Sequence, residues 1–225
     1  MFLLAVAIAP GIFWLWYFLR RDVLRPEPRH LVVRMFFLGG VAGLAAAILE
    51  RLAFGAVVLD LDGGRSRDIL VGAALIGLIE EGMKFAAVYA GVYRHVEFNE
   101  VVDGIIYAVA ASMGFATLEN IAYVLEGGLG VGVMRAVLSV PGHAFFAGVM
   151  GYNIGRAKFA GRREWEWLVG GVLLAALAHA LYDAVILTRT ALALAVVPIV
   201  GILWRRSLAQ IRHALFLDEN PSRRG

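Results

Sequence analysis

No cysteine occurs anywhere in the 225 residues, which excludes disulfides, thiolate metal sites and cysteine nucleophiles. Charge is scarce too, with Asp, Glu, Lys and Arg together making 17% of the chain. The helical zinc signature HExxH is absent, and there is no helix-length repeat, low-complexity tract or interdomain linker. What fills the chain is apolar: 60% of it is hydrophobic, with a mean hydropathy of +0.75. Soluble domains lie nearer ~45–50%. The composition therefore implies an all-α, polytopic transmembrane helical bundle, a multi-pass integral protein of the cell membrane.

Apolar windows predict about seven helices, over 2–19, 31–55, 69–92, 101–125, 136–155, 168–187 and 191–204. The last is short for a full crossing. The first lacks a basic leading region and a clear cleavage site, so it reads as a retained helix rather than a signal peptide. Pro26 and Pro28 predict an extended, exposed linker after it. The expected domain organisation is a membrane domain over 1–206 and a cytoplasmic polar tail over 207–225. Of the 21 Lys and Arg residues, fifteen fall on the side that holds the first turn, the 156–163 loop and the C-terminus. Arg51, Arg65, Arg67, Arg135 and Arg189 fall on the other side, and Lys84 lies within a span. The positive-inside rule then sets the N-terminus outside and the C-terminus in the cytoplasm. The sequence pI of about 9.4 comes from these loop arginines and reports orientation, so no nucleic-acid partner is expected.

Against this background the stretch LIGLIEEGMKFAAVYAG stands out, because it carries Glu80, Glu81 and Lys84 in mid-span. A charge at the centre of a membrane helix costs at least ~2.5–3.5 kcal/mol on insertion scales, so such residues are functional by default. Glu119 and Asn120 lie in the fourth helix, His143 in the fifth, and His179 and Asp183 in the sixth. Glu80 with Lys84, and His179 with Asp183, are i and i+4 pairs that share a helix face. At ~1.5 Å per residue, Glu80, Glu119, His143, His179 and Asp183 all fall roughly 6–16 Å from the outer helix ends. Asp103 falls near the inner face, outside this group, and reads as a first-turn helix stabiliser beside Gly104. Glu50, next to Arg51, reads as interfacial, and Pro141 is expected to bend the fifth helix near His143.

Two imidazoles and several carboxylates, without thiols, suit hydrolysis. In one route His143, His179, Glu119 and Asp183 hold Zn²⁺, whose bound water is acidified, and Glu80 or Glu81 acts as base. In the other, a glutamate and a histidine activate water without metal. A proton- or cation-coupled transporter would use the same residue types. Two related halves and helices broken at the midplane would mark one, and neither is evident in the sequence.

These residues lie in motifs that resemble the PrsW family of intramembrane proteases, distant relatives of the CAAX-type prenyl endopeptidases. The resemblance runs from WLWYFLRRD and RPEP through EEGMK, as EExxK, to FATLEN, with Phe115 and Glu119 as FxxxE. It continues through VPGHAFFAGVMGYNIGRAKF around His143 and closes on HALYD, as HxxxD. EExxK with FxxxE, rather than EExxxR with FxxxH, points to PrsW. The resemblance implies a membrane-embedded peptidase acting on a membrane-protein or peptide substrate, in some members at the first, extracytoplasmic cut of an anti-sigma factor. It implies Glu80 or Glu81 as the water-activating base, with Glu119, His143, His179 and Asp183 completing the site and Lys84 in support. It leaves metallo- and glutamic-type catalysis both open.

Overall fold

The structure, a computed structural model, describes residues 2–57, 59, 61 and 65–224. Its regular elements are helical: α1 (Phe2–Leu19), α2 (Arg29–Ala56), α3 (Ser66–Gly91), α4 (Val101–Val137), α5 (Ser139–Phe159), α6 (Glu164–Leu187) and α7 (Val196–Glu219). Short 3-10 turns cover Gly161–Arg163, Ala191–Ala195 and Pro221–Arg223. No strand occurs among the described residues. Among the described residues, five stretches are long and apolar enough to cross a membrane: α1, α2, α4 with α5, Gly161–Leu187 and Ala191–Glu219. The expected apolar run of α3 is not among them, because Glu80, Glu81 and Lys84 interrupt it.

At the centre lie α4 and α5, whose residues Val101–Thr117 and Val140–Gly151 are buried without interruption. Small residues permit this. A Cβ on Gly39 of α2 would lie 1.8 Å from the Ala111 carbonyl oxygen, and one on Gly155 of α5 would lie 2.0 Å from that of Val101. Backbones of neighbouring helices thus approach to a distance that only glycine allows, as expected where lipid offers no hydrophobic drive for association.

Three expectations change. First, the helix expected over 101–125 breaks at Gly128, which takes φ 73° and ψ −163°, and the stretch after it, expected as a loop, is again helical to Val137. A positive φ suits glycine, and the GGLGVG run supplies it. Second, Pro141 does not bend a helix. It sits in the first turn of α5, where a missing N–H breaks no intrahelical bond. Third, the segment expected as a polar tail is helical and packed as far as Glu219, with Ser207, Gln210, Ile211, Ala214, Leu217 and Asp218 buried. The Asp218 carboxylate accepts the backbone N–H groups of Val101 and Val102 at 2.7 and 3.0 Å, capping α4 from 116–117 residues away. Arg224 pairs with the same carboxylate at 3.0 Å.

At that end of α4, Asp103 and Glu100 form a reciprocal capping box, well apart from the polar cluster described below. The α1–α2 linker packs here too, so Pro26 and Pro28 do not leave all of it exposed. Asp22 accepts the Glu27 backbone N–H at 3.1 Å, and Tyr107 donates to the Glu27 carboxylate. Burial pushes the Asp22 carboxyl up to about 6 and the Glu27 carboxyl up to about 7.

Candidate active site

Lys84 organises the cluster. Its ammonium is fully buried and has three N–H donors, and the structure supplies three acceptors. Glu81 Oε1 lies at 2.7 Å, His143 Nδ1 at 2.9 Å and Glu80 Oε2 at 3.1 Å. The two carboxylates come from the preceding helical turn, the reach that i−4 and i−3 spacing gives. Phe115, the aromatic of FxxxE, places its ring centre 4.3 Å from the same ammonium, a cation–π contact.

The imidazoles come from α5 and α6, with ring centres 5.2 Å apart and planes at 88°. Ser112 of α4 donates to the His143 backbone carbonyl at 2.9 Å. His179 Nδ1 lies 3.0 Å from Glu81 Oε1, and its ring stacks on Phe146 at 4.7 Å. Each imidazole turns Nδ1 toward the α3 carboxylates and Nε2 toward another acid. His143 Nε2 is 2.9 Å from Glu119 Oε2, and His179 Nε2 is 3.5 Å from Asp183 Oδ2. Glu80 Oε2 stands 3.9 Å from Nδ1 of both rings.

A cavity of about 850 Å³ opens beside the cluster, lined mainly by apolar residues of α2, α4, α5, α6 and the start of α7. Glu80, Glu119, His143, His179 and Asp183 reach its wall, whereas Glu81 and Lys84 lie behind it, fully buried. All the residues singled out in the sequence thus come together, but in unequal positions. The compact donor group, with ligand atoms within 4.8 Å of one another, is Glu80, Glu81, His143 and His179. Glu119 and Asp183, expected as metal ligands, are not in that group and sit at the outward ring nitrogens.

Two residues of the site were read otherwise in the sequence. Glu50 is not simply interfacial, since it lines the cavity with one buried carboxylate oxygen lacking any hydrogen-bond partner. Arg135, counted among the loop arginines, also lines the cavity and lies 2.8 Å from Glu119 Oε2. The Gly-rich run before Arg135 was the available signal for it. Nothing in the spacing around Glu50 pointed inward.

A family model described as "PrsW family intramembrane metalloprotease" matches residues 27–205. The chain belongs to the PrsW family. Among its relatives, Protease PrsW of Halalkalibacterium halodurans is 36% identical over 217 residues, covering 96% of this chain and 98% of that protein. Protease PrsW of Clostridioides difficile is 34% identical over 220 residues, with 94% and 90% covered. That of Bacillus subtilis is 33% identical over 213 residues, with 94% and 95% covered. No solved structure matches the chain. As a PrsW-family member it is an integral membrane peptidase acting on protein within a bilayer, and a transporter is not favoured.

Proposed function

We propose that Glu80 is the general base of a peptide hydrolysis carried out at the cavity wall. The observation that carries this is the unequal placement of the two adjacent glutamates. Glu80 faces the cavity between two imidazoles, while Glu81 is sealed behind it, bound to Lys84 and His179. A water held by Glu80 gives it a proton and attacks the scissile carbonyl carbon, forming the C–O bond. His143 and His179 face the same space and stabilise the oxygen that becomes negative. The proton on Glu80 then passes to the departing amine nitrogen as the C–N bond breaks. Lys84 offsets the charge of the two glutamates and fixes their rotamers. The apolar wall keeps bulk water out and receives an apolar substrate segment. The test is cleavage of a single-span membrane substrate by purified protein, wild type beside Glu80→Gln.

A second reading places zinc in the cluster, in keeping with the family description, and the donor chemistry supports it. Two imidazoles and two carboxylates converge, each outward ring nitrogen meets a carboxylate, and Glu81 Oε2 is buried without a hydrogen-bond partner. Glu80, Glu81, His143 and His179 would hold the ion, with Glu119 and Asp183 orienting the rings, and the ion would acidify a bound water. Because Lys84 donates to three of these four residues, an ion would compete with the ammonium for the same acceptors.

We further infer a cytoplasmic-membrane protein of seven crossings, with the N-terminus outside and residues 207–225 on the cytoplasmic side. The distribution of Lys and Arg supports this orientation. It puts the cluster in the outer half of the bilayer, which suits a first, extracytoplasmic cut. An anti-sigma factor is the substrate that the family resemblance suggests.

A further inference from the structure

Glu119 and Arg135 are sixteen residues apart along α4. An unbroken helix would separate them by about 24 Å. Instead Arg135 Nη2 lies 2.8 Å from Glu119 Oε2, and Arg135 Nε donates to Asn120 Oδ1 at 2.7 Å. The break at Gly128 accounts for this, because it lets segment 129–137 fold back on the helix it came from. Gly132 makes the return close: a Cβ there would lie 2.8 Å from Val124 Cγ2 and 3.0 Å from Val6 Cγ1. The Arg135 guanidinium also lies 4.0 Å from the Tyr123 ring centre, so ring, amide and carboxylate hold it together.

The same Glu119 oxygen is 2.9 Å from His143 Nε2. On the other side of the ring, Lys84 can only donate, so His143 Nδ1 accepts and the ring proton sits on Nε2, the nitrogen nearer Glu119. Resting on the hydrolytic reading above, we propose that Arg135 is a positioning residue: carried back by the break at Gly128, it holds Glu119 against His143 and so fixes the orientation of that imidazole at the cavity wall, while Lys84 sets its tautomer. Arg135 itself touches none of the α3 carboxylates in this arrangement; it acts through Glu119. Its guanidinium balances the charge of the partly buried Glu119 and leaves that carboxylate one stable place beside the ring. Lysine could supply the charge at this position with one contact fewer, and glutamine could not supply it.

The experiment compares wild type, Arg135→Gln and Arg135→Lys in two ways. Cleavage of a single-span substrate gives kcat and KM. Nitrogen-15 NMR of histidine-labelled protein reports the setting of His143 Nε2, its signals identified by their loss in His143→Gln. The expected result for Arg135→Gln is kcat reduced by about 10–100-fold with KM little changed, and a His143 Nε2 signal that is shifted and broadened while the proton stays on Nε2, because Lys84 still donates to Nδ1. Arg135→Lys should recover most of both. Should Arg135→Gln fail to fold, Gly128→Ala, which alters no charge, is measured alongside Arg135→Lys and should show the same two changes. Wild-type kcat together with an unchanged His143 Nε2 signal in Arg135→Gln, or in Gly128→Ala in its place, would overturn the proposal. A wild-type protein that cleaves nothing would sink the hydrolytic reading instead, and the Nε2 signal would still decide the role of Arg135.

Discussion

Glu81 and His179 are 98 residues apart in the chain, yet Glu81 Oε1 and His179 Nδ1 stand 3.0 Å apart with neither side chain more than 4% exposed. The same Glu81 oxygen takes the shortest of the Lys84 bonds, 2.7 Å. Glu81 is therefore the joint between the α3 cation and the α6 imidazole, while Glu80 beside it faces the cavity.

The two glutamates should then differ when each is removed. Glu81→Ala leaves a buried ammonium and an imidazole short of an acceptor, and breaking a buried pair costs about 3–5 kcal/mol. Thermal unfolding in detergent should show a marked loss for Glu81→Ala and little change for Glu80→Gln, with cleavage reduced in both. Equal stability of the two variants would contradict the division of roles.

The orientation inferred from charge makes a separate prediction. A reporter fused after Arg224 should be cytoplasmic. One inserted between Gly63 and Gly64, which lie outside the described residues, should be extracytoplasmic. Opposite labelling would move the cluster to the inner half of the bilayer.

Much of this was legible in the sequence, and the reasons differ by residue. EEGMK and HALYD could be read because i, i+3 and i+4 spacing fixes which side chains share a helix face, and burial of charge in lipid marks them as functional. Convergence of His143 and Glu119 followed from helix depth alone. The fold-back that brings Arg135 to Glu119 depends on a single backbone conformation at Gly128, which no periodicity encodes. The buried course of α7 was hidden because Asp218 reads as a tail residue until its partners, the first amides of α4, are known. Glu50 reads as interfacial from its neighbour Arg51, and nothing in the sequence marks that it also lines the cavity.

The α1–α2 linker predicts a pH dependence of stability. Burial raises Asp22 to about 6 and Glu27 to about 7 from ordinary values of 3.8 and 4.5. The folded state therefore binds these protons more tightly than the unfolded state. Their contribution is fully present below about pH 4 and is lost as pH rises through 6 to 7. Melting temperature in detergent should fall between pH 4.5 and 7.5, and Glu27→Gln should flatten that slope. A slope unaltered by the substitution would contradict the burial argument.

Competition between Lys84 and a divalent ion can be measured directly. Lys84→Met frees three acceptors, so it should bind zinc at least about tenfold more tightly than wild type, as metal analysis after dialysis would reveal. Equal zinc content in both proteins would remove the competition. Loss of wild-type cleavage on chelation, with recovery on adding zinc, would select the zinc reading over the metal-free one.

Water activation by Glu80 at the cavity wall is open to one direct measurement. Purified wild type and Glu80→Gln, matched for folding by their melting temperatures, should be given the same single-span substrate and their product followed by mass spectrometry. A positioned general base contributes ~10²–10⁴-fold, so cleavage by Glu80→Gln should fall by at least a hundredfold while the protein remains folded. Wild-type cleavage by folded Glu80→Gln would contradict the account.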